Sequence, residues 1–279
     1  MNTSEHTLIN ANGQKIFVTE YTPHQPTAQA VLFVHGLGSS QAEFGPIPGR
    51  LADQGILALT FDLSGHGQSE GTRGLLSEPI VLNDIRCVLD TFKNSYPNCQ
   101  YVIAGHSLGA HAALVSTLHM NLIKACILIA PQKRSGDSLP FFKRWLIRLL
   151  GTMYALCAAL PDWYVKNPAR YDDLFVTANA VQKARQSGFM AERINLKICA
   201  YTKNINNLDL VRRLSKPVLF VAPRQDKQVP PEKIRELFDH TLSSQKHFVG
   251  LKDCGHSPFF EDSHNELLHT MMNFINSYP

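Results

Sequence analysis

Cysteine is sparse and scattered: six occur in 279 residues (Cys87, Cys99, Cys126, Cys157, Cys199 and Cys254), with no C-x-x-C or other metal-ligand spacing. That pattern gives no reason to expect a metal site or a disulfide framework, and reduced thiols in a cytosolic setting are its simplest reading. The opening MNTSEHTLINANGQKIFVTEY lacks a basic segment followed by an apolar one, so no signal peptide is read there and a cytoplasmic location is expected. Internal repeats and low-complexity tracts are absent as well. Charge is in short supply: 18% of residues are Asp, Glu, Lys or Arg, and the net charge is only +4. With no nucleic-acid-binding motif beside it, so small an excess argues against a DNA or RNA partner.

What is present is a 44% hydrophobic chain, long enough for one large α/β domain with a sizeable core. AVLFVHG (30–36), ILALTFD (56–62), YVIAGHS (101–107), KACILIA (124–130) and PVLFVAP (217–223) are short, continuous apolar runs. Such runs suit strands buried on both faces of a parallel sheet. Between them, in PIVLNDIRCVLDTFKNSYP, Val81, Ile85, Val88, Leu89 and Phe92 recur at helical spacing; GAHAALVSTLHM, PPEKIRELFDHTL and NELLHTMMNFINSYP are also helix-like. Near the start, HTLINANGQKIFVTEY reads as two extended runs around Asn12-Gly13, a hairpin signal. A hairpin followed by βαβ units predicts an open, mostly parallel α/β sheet with helices on both faces.

The alternation stops after Ala130 and resumes at Pro217. The segment between reads as helices and loops, an insertion of subdomain size. The expected organisation is a core of residues 1–131 and 217–279 carrying a helical cap, residues 132–216. Charge divides along the same line: residues 131–216 hold 15 Lys and Arg against 6 Asp and Glu, the remainder 12 against 17. The most apolar part of the cap, LPFFKRWLIRLLGTMYALCAALP (139–161), is interrupted by Lys143, Arg144 and Arg148, which argues against a membrane-crossing helix. Wound as a helix it puts Phe142, Trp145, Leu146, Leu149 and Met153 on one face and Arg144, Arg148 and Thr152 on another. Packing of the apolar face on the core is the simpler expectation; peripheral contact of a lid with anionic membrane is the sharper one. The same positive charge would also draw an anionic substrate.

Gly105-His106-Ser107-Leu108-Gly109 reads G-x-S-x-G. A chain this long has roughly a one-in-ten chance of holding that pentapeptide somewhere, so its setting has to carry the argument. Ser107 ends a strand-like run and begins a helix-like one, the place of a nucleophile on a sharp turn. Larger side chains at Gly105 and Gly109 would collide across such a turn, and Leu108 N–H at the helix start could hold an oxyanion. The alternative is an ordinary serine in a tight βα turn. A serine nucleophile needs a base, and of twelve histidines His256 stands in KDCGHSPFFED, a loop after the strand-like HFVGL. Asp226, just past PVLFVAP, is the carboxylate best placed to orient that histidine; otherwise it serves as a turn residue or as charge at the start of the next helix. Asp239 and Asp253 are weaker candidates. The order Ser107, Asp226, His256 is that of α/β-hydrolase triads. The loop His35-Gly36-Leu37-Gly38 after the first central strand should supply the second oxyanion donor, Leu37 N–H. His35 itself is read as structural.

HGLGSS (35–40), FDLSGHGQSEGTRG (61–74), GHSLG (105–109) and the Asp226 and His256 loops together resemble the α/β-hydrolase family. Within it, the similarity is to the branch of monoacylglycerol lipases, lysophospholipases and serine aminopeptidase-like enzymes. The likeness covers about residues 25–130 and 215–275. It implies an α/β-hydrolase fold, a cofactor-free serine hydrolase of lipid-like carboxylic esters, and a loop beside the site held by Asp62, Gly65 and Gly67. A thioester or N-terminal peptide bond would suit the same machinery, and a non-catalytic binding protein of this fold is the rival from another class.

Overall fold

The apolar runs do not alternate with polar residues, so each strand they form must be covered on both sides. In the computed structural model, which describes residues 1–25, 28–134, 141–157 and 160–277, they are. The chain runs β1 (Asn2–Ile9), β2 (Lys15–Thr22), β3 (Gln29–Val34), α1 (Ile47–Asp53), β4 (Leu57–Phe61), α2 (Glu78–Ser95), β5 (Gln100–His106), α3 (Leu108–His119) and β6 (Ile123–Ile129). The inserted segment holds α4 (Phe141–Leu156), β7 (Tyr164–Lys166), α5 (Tyr171–Leu174), α6 (Ala178–Ser187), β8 (Arg193–Asn195), α7 (Ile198–Thr202) and α8 (Asn207–Val211). The chain then returns to the sheet with β9 (Val218–Pro223), α9 (Pro231–Asp239), β10 (Lys246–Leu251) and α10 (His264–Asn276).

Eight strands form one sheet in the order β1-β2-β4-β3-β5-β6-β9-β10. β1 and β2 are the expected antiparallel hairpin, and β2 also runs antiparallel to β4; from β4 to β10 every pairing is parallel. Along β3, Leu32 and Val34 enter one core layer while Val31 and Phe33 enter the other. Both faces of the strand therefore contribute, each large side chain worth about 1.5–3 kcal/mol of burial. Val81, Ile85, Val88, Leu89 and Phe92 of α2 are all buried, as their spacing requires, and Ser77 caps that helix by accepting Ile80 N–H. The chain passes from β3 to β4 on one side and reaches β5 on the other, while β3 and β5 pair directly, Val34 opposite Gly105. The carboxyl ends of β3 and β5 thus form the crevice where open α/β sheets place their ligands.

The insertion departs from expectation twice. It contains a small antiparallel ribbon, β7 with β8; strands of three residues are too short for alternation to reveal. More important, the apolar face of α4 is not packed on the core: Phe142, Trp145, Leu146, Leu149 and Met153 are all exposed, Phe142 by 67% and Trp145 by 51%. The helix docks instead through buried Gly151 and Tyr154. A Cβ at Gly151 would lie 2.4 Å from the Cys199 carbonyl of α7, so only glycine permits this approach. Leu139, Pro140, Ala158 and Ala159 of the apolar stretch, and the terminal Tyr278-Pro279 of the last helix-like run, lie outside the described residues. Among the described residues, no helix is long and apolar enough to cross a membrane.

Candidate active site

Ser107 sits between β5 and α3 with φ 54° and ψ −114°, a conformation that costs a non-glycine residue of order 1–3 kcal/mol. The turn is held from both sides. A Cβ on Gly105 would lie 2.1 Å from the Gly109 carbonyl, and one on Gly109 2.1 Å from the Val34 carbonyl. Ser107 N–H donates to Ile129 O at 2.9 Å, so the β5–β6 ladder continues to the serine itself. Ser107 is partly exposed, while Leu108 is buried. Among the described residues, neither Leu108 N–H nor Leu37 N–H donates to a protein acceptor.

The loop after β3 is fixed by His35. Leu63 N–H donates to His35 Nε2 at 3.1 Å, which leaves the ring proton on Nδ1, and Nδ1–H donates to Gly36 O at 2.9 Å. That carbonyl belongs to the same peptide unit as Leu37 N–H, so the buried imidazole sets the orientation of the expected oxyanion donor. The structural reading of His35 therefore gains a specific content. The loop implied by the family resemblance is held as expected: Asp62 accepts Gln41 N–H at 2.7 Å and Gln68 N–H at 2.8 Å. A Cβ on Gly67 would fall 2.1 Å from that carboxylate, and one on Gly65 2.2 Å from Thr72 O.

Asp226 and His256 come from the loops after the neighbouring strands β9 and β10, which are stitched together by Arg224 N–H to Leu251 O and Gln225 N–H to Cys254 O. His256 Nδ1–H donates to Asp226 Oδ2 at 2.7 Å, with both side chains buried. Asp226 Oδ1 accepts Gln228 N–H at 2.7 Å and Val229 N–H at 2.9 Å. One carboxylate thus serves both readings made from the sequence, the turn before α9 and the orientation of the histidine. Asp253 is exposed and accepts from Gln225 Nε2, and Asp239 pairs with Arg235; neither reaches His256. Cys254, two residues from His256, is no competing nucleophile, because burial pushes its thiol up to about 12.

Asp226 and His256 are in contact, but no hydrogen bond joins the Ser107 hydroxyl to His256. The contact across the site runs through the serine's neighbour: His106 Nε2–H donates to His256 O at 2.9 Å, the two rings 4.8 Å apart. The insertion is tied to the same loops. Ala191 N–H donates to Gly38 O at 2.8 Å and Ser257 N–H to Leu174 O at 3.0 Å, while buried Glu261 accepts Val176 N–H and the Thr177 hydroxyl. One turn along α3 from Ser107, buried His111 borders a cavity of about 680 Å³ whose wall also includes Leu76, Tyr154, Tyr201 and Leu210. Among the described residues, no cluster of three or more His, Cys, Asp or Glu is arranged to hold a metal ion.

A family model described as serine aminopeptidase, S33, matches residues 25–263. The chain belongs to this family of α/β hydrolases. This S33-family chain is 26% identical over 249 residues to mouse monoglyceride lipase, covering 86% of the chain and 78% of the lipase. An uncharacterized abhydrolase domain-containing protein of Dictyostelium discoideum is 26% identical over 255 residues; the S33-family chain spans about a quarter (26%) of its length. In three dimensions it superposes on the monoacylglycerol lipase of Paleococcus ferrophilus with a TM-score of 0.81 at 22% identity, over 95% of this chain and 99% of that one. The fold expected from the sequence is thereby established.

Glu43 and His106 went unnoticed in the sequence. His106 occupies a variable position of the pentapeptide, and nothing in the spacing points from it to Glu43, which it meets in the fold.

Proposed function

We propose that this S33-family hydrolase cleaves carboxylic esters of single-chain lipids, of monoacylglycerol or lysophospholipid type, through an acyl-enzyme on Ser107. The observation that carries the reading is the buried Asp226–His256 pair beside a strained Ser107, with the amides of Leu37 and Leu108, unbonded among the described residues, in the loops that flank it. His256 Nε2 takes the hydroxyl proton as Ser107 Oγ bonds to the ester carbonyl carbon. The amides of Leu37 and Leu108 hold the oxyanion, and the alkoxide leaves with the proton from His256. Water then repeats the sequence on the acyl-enzyme, releasing the acid and restoring Ser107.

One feature supports a lipid substrate. The exposed apolar face of α4, with Lys143 and Arg148 exposed beside it, suits contact with an anionic lipid surface. In this reading the insertion is a lid that meets the substrate at the interface, and the protein is cytoplasmic and membrane-peripheral.

Hydrolysis of monoacylglycerols, lysophospholipids, acyl-CoAs, aminoacyl anilides and p-nitrophenyl esters tests the substrate class: lipid esters turned over best supports it, anilides turned over best refutes it. A Phe142→Ala/Trp145→Ala variant tests the lid. It should bind phosphatidylglycerol-containing vesicles roughly tenfold or more weakly, with hydrolysis of soluble esters unchanged. Unchanged vesicle binding would refute the lid contact.

A further inference from the structure

Behind Ser107 lies a second buried pair that the mechanism above does not use. Glu43, in the short helical turn after the oxyanion loop, is 3% exposed, and His106 is 2% exposed. His106 Nδ1 meets Glu43 Oε1 at 2.5 Å, and His106 Nε2 meets the His256 carbonyl at 2.9 Å. The other carboxylate oxygen, Oε2, accepts Gly36 N–H at 2.8 Å. A continuous chain therefore runs from the peptide before the expected oxyanion donor, through Glu43 and His106, to the backbone of His256. It passes beneath the strained serine, because His106 is Ser107's own neighbour. Phe259 stands edge-on to His106 with centroids 5.4 Å apart, and a Cβ on Gly36 would lie in ordinary van der Waals contact, 3.5 Å from both Glu43 Oε1 and the His106 carbonyl.

Both ring nitrogens of His106 face acceptors, one a carboxylate and one a carbonyl, and only the imidazolium donates from both. Burial alone would keep His106 neutral, but the charge and hydrogen bond of Glu43, followed by the His256 carbonyl, hold its pKa above the ordinary value. Burial likewise opposes the Glu43 charge, yet His106 and then Gly36 N–H bring that carboxyl below its ordinary range. A desolvated ion pair of this kind contributes little net stability. Its value lies in direction, since each partner has a fixed second bond to a different loop.

We propose that Glu43 and His106 form a positioning pair that holds the oxyanion loop and the His256 loop in register on either side of Ser107. The inference rests on the function proposed above and adds two residues to it, neither of which touches substrate. Geometry is the currency. A misplacement of about 1 Å at a distance from the reacting atoms costs roughly 10²-fold in rate.

His106→Phe alone would strand a buried carboxylate and threaten folding, so the test uses Glu43→Leu/His106→Phe, which removes both charges together. On a soluble p-nitrophenyl ester this double variant should lose roughly 10²-fold in kcat with KM within about threefold of wild type. Glu43→Gln can still accept from Gly36 and donate to a neutral His106, and it should recover kcat to within about fivefold of wild type. Amide exchange measured on the same proteins reads the pair without catalysis. In the double variant, exchange should quicken by about tenfold or more at Gly36 and in residues 254–258. Wild-type kcat with wild-type exchange in both loops overturns the proposal. Should wild-type protein hydrolyse no ester and label with no fluorophosphonate, the catalytic reading fails. The pair then stands or falls on exchange alone: faster exchange in both loops supports it, and unchanged exchange overturns it.

Discussion

Replacing Asp226 by Asn tests the orientation of the proposed base with little change of shape. Asp226 Oδ1 accepts two backbone N–H groups, at 2.7 and 2.9 Å, and the Asn carbonyl can keep both. Oδ2, which accepts His256 Nδ1–H at 2.7 Å, becomes an NH₂ donor. Two donors cannot share that contact, so His256 must move its proton to Nε2 and offer a lone pair at Nδ1, facing away from the serine. Loss of the base in this way costs about 10⁴-fold in kcat, or about 5.5 kcal/mol of transition-state stabilisation. The fold loses at most one charge-assisted hydrogen bond, about 1.5–3 kcal/mol. Steady-state kinetics on a p-nitrophenyl ester, the rate of fluorophosphonate labelling and a thermal melt together make the measurement. A folded Asp226→Asn protein with kcat within about tenfold of wild type would refute the assignment of His256 as base and Asp226 as its orienter.

Further expectations concern the turn and the response to acid. Gly105→Ala puts a Cβ against the Gly109 carbonyl and should cost roughly 1–3 kcal/mol, lowering Tm by several degrees and abolishing turnover; an unaltered melt and unaltered activity would contradict the elbow geometry. His66 is buried with Nδ1–H on Ser64 O and, among the described residues, no partner for Nε2. Burial, followed by neighbouring His35, lowers its pKa from 6.5 to about 3. The unfolded chain binds a proton below about pH 6.5 that the folded chain refuses until about pH 3, so His66 removes about 1.4 kcal/mol of stability per pH unit on the way down. Urea unfolding at pH 7 and pH 5 should show a smaller acid loss in His66→Gln than in wild type, and an equal loss would refute it.

The legible parts of the sequence were those with local periodicity or a fixed chain order. The apolar runs announced strands covered on both faces, and they line both core layers; the α2 residues Val81 to Phe92 announced one buried helical face, and it packs into one of those layers. The elbow was legible because glycine has few reasons to flank a serine at both second neighbours, and the collisions at Gly105 and Gly109 supply the reason here. Asp226 and His256 were readable from the strands they follow, and the structure brings them into contact. Periodicity names an apolar face but not its partner, so α4 was expected to pack its Phe142–Met153 face inward and instead docks through Gly151 and Tyr154. The β7–β8 ribbon is too short to carry a pattern. Glu43 and His106 lie 63 positions apart, and pairing at that separation is a property of the sheet crossover, not of any local motif.

Everything proposed for the chemistry depends on Ser107 as nucleophile. Peptide mass spectrometry after reaction with a fluorophosphonate probe tests it directly. One covalent adduct is expected, on the peptide carrying Ser107, and none in a folded Ser107→Ala variant that has lost ester hydrolysis. No adduct on wild-type protein, an adduct on another residue, or ester hydrolysis retained in Ser107→Ala would contradict it.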